Sequence, residues 1–256
     1  MTAAPQNIYD DPAFFAGYRD LRTQDTGLNG ILEVPALLQL LPALDGAHVL
    51  DLGCGFGDFA RLARARGAAS VTGVDVSARM LAEAVQRTRD PAIVYVHGAI
   101  EAFRPTQAFD LVVSSLALHY VEDYAGVVRR VFDALAPGGS FLFSVEHPLC
   151  TAHPAGWVKD AEGAKLHWPV DRYGDEGPRA TRWFVDGVVK YHRTVETYVG
   201  ALLDAGFALA YLGEPVPTSE ALAARPALAN EVRRPPFLVL KAARPARRAA
   251  DAGEPC

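Results

Sequence analysis

Cysteine is scarce in this chain: its 256 residues hold three, Cys54, Cys150 and Cys256. So few and so scattered, they frame neither a disulfide scaffold nor a zinc site, and they point to the reduced thiols of a cytoplasmic protein. Long apolar runs are also missing. No stretch reaches the roughly 18 apolar residues that a membrane-spanning helix needs. The opening MTAAPQNIYDDP has no basic region and no apolar centre, so it does not read as a secretory signal. Charge of one sign is sparse as well. The net charge is −5, and no basic run stands out except in the alanine/arginine tail, so nucleic acid is not an expected partner. No internal repeat divides the sequence. Its length suits one large α/β domain or one domain with a sizeable insertion.

What is present is concentrated in Val49-Leu50-Asp51-Leu52-Gly53-Cys54-Gly55-Phe56-Gly57-Asp58. An apolar run ends in an acidic residue, three glycines follow at alternate positions, and a helical pattern begins. Glycines so spaced let the backbone adopt positive φ and let a ligand approach with no Cβ in the way. A strand that ends in such a loop and restarts as a helix makes a nucleotide-type cleft at the strand's carboxyl end. A dinucleotide fingerprint would read G-x-G-x-x-G. Here the third glycine, Gly57, comes one position early, and Asp58 stands where that fingerprint needs glycine.

Along the chain, residues 1–45 read as helical. Phe14, Phe15, Tyr18 and Leu21 form one apolar stripe, and Ile31 to Leu41 form a second, ended by Pro42. Strands are expected at His48–Asp51, Ser70–Asp75, Ile93–His97, Phe109–Leu116, Ser140–Val145, Phe207–Leu212 and Phe237–Leu240. The run Phe109–Leu116 is continuously apolar, the pattern of a strand buried on both faces. Helices are expected from Phe56 to Arg66, after a Ser77 cap, through Val127–Leu135, and after a Thr194 cap. Pro137-Gly138-Gly139 reads as a turn. This alternation implies a mostly parallel sheet of seven strands with helices on both faces. The segment 147–193, with all three tryptophans and four histidines, breaks the rhythm. It is too long for a structureless loop and is expected to carry short strands as a lid over the cleft.

VLDLGCGFG resembles motif I of the class I S-adenosylmethionine-dependent methyltransferases, and four later landmarks fall in step with it. These are Val71-Thr72-Gly73-Val74-Asp75-Val76-Ser77, His97-Gly98-Ala99-Ile100-Glu101, FDLVVSSLALHYVED and APGGSFLFSVEHPL. The resemblance implies a Rossmann-like α/β fold with S-adenosylmethionine as cofactor and S-adenosylhomocysteine as product. It further implies an N-terminal helical cap (1–45) and a cofactor-binding domain (46–242) with the lid insertion 147–193; the tail (243–256), rich in Ala, Arg and Pro, is expected to be disordered. Asp51 would receive the ammonium of the methionine part, with the loop at Gly53 and Gly55 against the amino-acid portion and ribose. Asp75 would accept the ribose hydroxyls, and Val76 would pack on adenine. Many relatives carry an Asp where this chain has Ala99, so the adenine would be read by backbone groups of Ala99 and Ile100, aided by Glu101. Ser115, at the end of the fourth strand, would line the cleft beside the methyl group. Tyr18 and Arg22, one helical turn apart, would meet the cofactor from the N-terminal helix.

Methyl transfer from a sulfonium needs a nucleophile held in line with the leaving sulfur, and a base only where that nucleophile must lose a proton. Histidine is the natural base. His119 is the first candidate and His147 the second. His153, His167 and His192 belong to the lid or its exit, where Arg172, Tyr173 and Trp183 are candidate acceptor contacts. His48 and His97 take no catalytic part. The pattern of Asp or Asn followed by proline and an aromatic residue, which marks DNA-adenine and protein-glutamine methylation, is absent. The expected reaction is therefore methyl transfer to a small molecule, with no metal, nucleic acid or membrane involved. Two other readings remain: a S-adenosylmethionine-binding protein with non-methylating chemistry or a regulatory role, and an NAD-dependent oxidoreductase, against which Asp58 counts.

Overall fold

The computed structural model describes residues 6–24, 27–153 and 155–246. A 3-10 turn at Ile8–Asp10 leads into α1, Pro12–Gln24, whose first turn is capped by Asp11 accepting from the N–H groups of Ala13 and Phe14. A π-helical turn, Asn29–Glu33, runs directly into α2, Val34–Leu40. Strands and helices then alternate: β1 His48–Leu52, α3 Asp58–Ala65, β2 Ser70–Asp75, α4 Ala78–Arg87, β3 Ile93–His97, β4 Phe109–Ser115, α5 Tyr124–Ala134 and β5 Leu135–Glu146. An insertion follows, made of α6 (Pro148–Ala152) and two hairpins, β6–β7 (Val158–Lys159, Lys165–His167) and β8–β9 (Gly177–Trp183, Val185–His192). The chain ends with α7 Val195–Asp204, β10 Ala208–Gly213, α8 Ser219–Ala224, α9 Ala229–Arg233 and β11 Phe237–Ala243.

The seven main strands form one sheet in the order β3-β2-β1-β4-β5-β11-β10. Strands β1 to β5 are parallel, and β11 runs antiparallel to both its neighbours. This is the Rossmann-like, mostly parallel, seven-stranded architecture that the alternation implies. The chain winds outward from β1 to β3 and then returns to β4 on β1's other side. That reversal opens a crevice at the strands' carboxyl ends.

Both faces of the sheet are covered, which explains the unbroken apolar runs. Leu50, Val112, Phe141, Phe143, Leu238 and Leu240 face α5 and α7 and pack with Tyr124, Val128, Val131, Tyr198 and Leu202. Their neighbours Val49, Leu111, Leu142 and Val239 point the other way and pack with Leu37, Ala60 and Ala63. Each such leucine or phenylalanine, removed from water, contributes about 1.5–3 kcal/mol.

Three local expectations shift. The helix after the glycine loop starts at Asp58 rather than Phe56, because Gly57 sits at φ +71. Pro137-Gly138-Gly139 does not precede the fifth strand but bulges within it: Phe109 pairs with Leu135, and Leu111 next with Ser140. Gly138 and Gly139 are tied there by Arg244, whose N–H donates to Gly139 and whose carbonyl accepts from Gly138. The expected tail at 243–256 begins inside β11, and residues 247–256 lie outside the described residues.

Glu33 straps the N-terminal segment to the sheet. It is fully buried and accepts from the Ser115 and Ser144 hydroxyls, at the ends of β4 and β5, and from Asn29 Nδ2. Burial raises its pKa, against the pull of those two hydroxyls and of Arg22. Glu33→Ala would leave one buried donor, the Ser144 hydroxyl, and two half-buried ones, on Ser115 and Asn29, without their acceptor. It should lower unfolding free energy by about 2–3 kcal/mol in urea titration, and Glu33→Gln, which keeps an acceptor, by about 1 kcal/mol. An alanine variant as stable as the parent would show that the strap holds nothing.

Candidate functional site

A cavity of about 680 Å³ lies at the carboxyl ends of β1, β2, β4 and β5, beneath α1 and the β8–β9 hairpin. The loop after β1 forms its floor. Gly53, Gly55 and Gly57 all have positive φ (+80, +51 and +71), but they serve different ends. A Cβ on Gly53 would stand 2.4 Å from the Cβ of Ala117, and one on Gly57 would stand 2.0 Å from the Tyr95 hydroxyl. Those two glycines let the loop pack. A Cβ on Gly55 would meet no atom within 4 Å and would occupy open space at the cavity wall.

Asp75 splints this loop to the next. Its Oδ2 accepts the Gly55 N–H and its Oδ1 the Ser77 N–H, both at 2.8 Å. Each oxygen keeps a lone pair for a ligand. Burial raises the Asp75 pKa, and the two amides oppose that rise. Asp51, at the end of β1, differs: it is 3 % exposed, and its Oδ2 has no hydrogen-bond partner among the described residues. Burial, then the charges of Asp75 and Asp58, push its pKa up to about 8. A buried carboxyl oxygen without a partner carries a penalty of roughly 1–3 kcal/mol that a cationic ligand would remove.

The other walls follow from the loops. Val76, Ala99 and Ile100 line the side beyond β2 and β3. Among the described residues, neither the Ala99 nor the Ile100 N–H has a backbone partner, whereas the Ala99 carbonyl accepts from Ala102 and Phe103. Ser115 lines the cavity with its hydroxyl given to Glu33. Leu116, next to it, holds φ +51, the kind of strained non-glycine backbone that clusters at ligand sites. Tyr18 and Arg22 come down from α1. Arg22 is already engaged by Asn29 Oδ1 and by Asp58 at 3.3 Å. Above them the hairpin tip meets α1. Trp183 stands edge-on to Phe14 and Tyr18, and Phe184 packs where a side chain on Gly17 would otherwise lie.

His119 lines the cavity, but its bonding does not suit the base that was expected. Its Nδ1 accepts the Glu146 N–H at 3.2 Å. Burial, then the positive charges of Lys190 and Arg193, hold its pKa well below the ordinary range. The ring is therefore neutral with its proton on Nε2, so the nitrogen left free is a donor. His147 does not line the cavity at all. Pro148 starts α6 immediately after it, its Nδ1 caps that helix by accepting the Leu149 N–H at 3.1 Å, and its Nε2 meets Glu214 at 2.8 Å.

The cavity thus gathers twelve of the thirteen cofactor and base residues expected from sequence: Tyr18, Arg22, Asp51, Gly53, Gly55, Asp75, Val76, Ala99, Ile100, Glu101, Ser115 and His119. Of the three lid residues, Trp183 lines it, whereas Tyr173 accepts the Val195 N–H and Arg172 pairs with Asp175. Sequence reasoning missed Tyr9, Tyr120, Lys190 and Arg234, which line it too. Tyr120 sits in the fourth landmark, next to His119, but the other three lie in no glycine-rich or strand-end motif. Lys190 reaches the site because β9 brings its Nζ to 5.5 Å from the Trp183 ring.

Comparison with known proteins agrees with this geometry. A family model described as a methyltransferase domain matches residues 49–139. The crystal structure of an S-adenosylmethionine-dependent methyltransferase from Mesorhizobium loti is 47 % identical, covers 86 % of this chain and 99 % of its own, and superposes with a TM-score of 0.79. An uncharacterized protein of Haemophilus influenzae is 36 % identical over 92 % of this chain and 96 % of its own length. A trans-aconitate 2-methyltransferase of Paracidovorax citrulli is 33 % identical over 71 % of this chain and 65 % of its own.

Proposed function

Because this chain belongs to the S-adenosylmethionine-dependent methyltransferases, we propose that it transfers the donor's methyl group to a small-molecule acceptor bound in the same cavity. The observation that carries this reading is the Asp51 carboxyl, buried without a full set of partners beside the splinted Asp75. Together the two carboxyls suit an ammonium and a pair of ribose hydroxyls, the polar ends of an S-adenosyl amino acid. Ala99 and Ile100 would offer backbone groups to the adenine, with Val76 against its face. Gly55 leaves the room for approach, and Tyr18 and Arg22 close the site from α1. The donor supplies a methyl already activated by its sulfonium, so the protein's work is to orient the acceptor and exclude water. The trans-aconitate methyltransferase relative supports a low-molecular-weight acceptor. No helix among the described residues is long and apolar enough to cross a membrane. The buried free thiols of Cys54 and Cys150 support a cytoplasmic location.

Proton linkage tests this assignment. With a value raised to about 8, Asp51 is mostly protonated at pH 7 in the free protein. An ammonium beside it favours the carboxylate, so binding must release a proton. Affinity should then rise with pH between about 6 and 8, by up to about tenfold per unit. Titration calorimetry of S-adenosylhomocysteine at pH 7, in two buffers of different ionisation enthalpy, should report release of a large fraction of one proton. Asp51→Asn should abolish that release and weaken binding. Release unchanged in Asp51→Asn would remove Asp51 from the site.

A further inference from the structure

The far end of the cavity, away from the glycine loop, has a chemistry of its own. Glu146, at the end of β5, joins two of its side chains. Its backbone N–H donates to His119 Nδ1 at 3.2 Å, and its carboxylate is held by Lys190 Nζ at 2.6 Å. The acceptor nitrogen of His119 is taken by the backbone amide, so this ring is not available as a base. One oxygen of the Glu146 carboxylate is held by the Lys190 ammonium, which makes it a weaker base than a free carboxylate. Beside it, two donors face the cavity. His119 Nε2–H has no partner among the described residues, and Lys190 Nζ has donors to spare beyond its bond to Glu146.

The surrounding charge has the same bias. Arg193 is 7 % exposed and gives its guanidinium to the carbonyls of Val121, Glu122 and Tyr191, with no carboxylate at ion-pair distance among the described residues. Arg234, at the cavity's rim, is matched by Glu231, and Lys190 by Glu146. Of these three cations Arg193 is the one without an ion pair among the described residues, with the Glu122 carboxyl near it against Tyr191. The walls between, Tyr9, Tyr120 and Trp183, are aromatic.

An alcohol or phenol must lose a proton to attack, and an amine arrives as an ammonium at neutral pH. Either would need a base, and here the His119 ring is committed as a donor and the Glu146 carboxylate is held by an ammonium. A carboxylate arrives ionised, its pKa near 4, and needs only donors and positive charge. We propose that the acceptor is a carboxylic acid, methylated on oxygen to an ester, whose carboxylate is held by His119 Nε2–H and Lys190 Nζ. This rests on the methyltransferase reading above. One carboxylate oxygen lends the electron pair of the new C–O bond, the methyl–sulfur bond breaks with its pair staying on sulfur, and no proton moves. An anion and a sulfonium become a neutral ester and a neutral thioether. The product thus loses the charge by which the acid was held, which favours its release.

The test uses the full chain with S-adenosylmethionine tritiated on the methyl group. Mono-, di- and tricarboxylic acids, aliphatic and aromatic, are offered beside their amides, and S-adenosylhomocysteine binding is measured in parallel by calorimetry. Mild alkali frees tritiated methanol from a methyl ester but not from N-, S- or ether-linked methyl groups. The expected result is volatile label from at least one acid and none from its amide. With that acid, His119→Phe should lower kcat/KM by about a hundredfold while leaving S-adenosylhomocysteine affinity unchanged. His119→Gln, which keeps an N–H donor and cannot act as a base, should stay within about tenfold of the parent. Lys190→Met should raise the KM for the acid by about tenfold or more. Alkali-stable label, or no label from any acid while S-adenosylhomocysteine still binds, overturns the acid assignment alone. Equal losses in the Phe and Gln variants overturn the donor role of His119. Failure to bind S-adenosylhomocysteine overturns the methyltransferase reading itself.

Discussion

Asp75→Ala should weaken S-adenosylhomocysteine binding by about a hundredfold or more, the largest loss expected of any single carboxyl in the cavity. Two effects combine. The carboxylate's free lone pairs are the acceptors for two ribose hydroxyls, and a hydrogen bond to a charged group contributes roughly 1.5–3 kcal/mol. The same two oxygens hold the Gly55 and Ser77 amides at 2.8 Å, so the glycine loop also loses one tie to β2, keeping those of the Gly53 and Cys54 amides to the Val74 carbonyl. A hundredfold corresponds to about 2.7 kcal/mol, within reach of the first effect alone. The variant carries a second signature. Asp75 is one of the charges that raise Asp51, so removing it lets the Asp51 carboxyl ionise at lower pH, and proton release on binding at pH 7 should shrink. Asp75→Asn keeps one acceptor oxygen and should fall between. Calorimetry of the three proteins, each first shown to unfold cooperatively, reads both quantities. Affinity within about threefold of the parent in Asp75→Ala would remove the ribose assignment.

The second large effect separates two glycines that stand two residues apart. Gly55→Val places its side chain in open space at the cavity wall. The fold should lose only the strain of a branched residue at φ +51, roughly 1–2 kcal/mol, while S-adenosylhomocysteine binding drops below detection. Gly53→Val drives a Cβ to within 2.4 Å of Ala117 and should destabilise the protein itself. One variant folds and does not bind; the other folds poorly. Urea unfolding and calorimetry on both resolve the pair. Near-normal affinity in a folded Gly55→Val protein would mean that the ligand lies elsewhere.

The frame around these residues was open to reading for a physical reason. A sheet covered on both faces needs unbroken apolar strands, and a loop with φ above zero at three alternate positions needs glycine at each. Both demands act over a few residues and leave a local trace. What escaped reading depends on partners far away in sequence. His119 follows a strand end and looks like a base, but its tautomer is set by the Glu146 amide, 27 residues on. His147 follows a strand end in the same way, yet Pro148 turns the chain into α6 and hands the ring to Glu214. Glu33 reads as one polar residue in an apolar helix. Only the ends of β4 and β5, 82 and 111 residues away, reveal it as the strap. The Pro137-Gly138-Gly139 signal was sound as local turn chemistry, but pairing with Phe109 and the tie to Arg244 made it a bulge inside a longer strand.

Thermal unfolding with saturating S-adenosylhomocysteine, and separately with NAD, tests the central claim most directly. A ligand at about a hundred times its Kd adds about 2.7 kcal/mol to the folded state, which for a chain of this size is roughly 5–10 °C in Tm. The account predicts a shift of that size with S-adenosylhomocysteine and none with NAD. No shift with S-adenosylhomocysteine, or a shift with NAD, would contradict it.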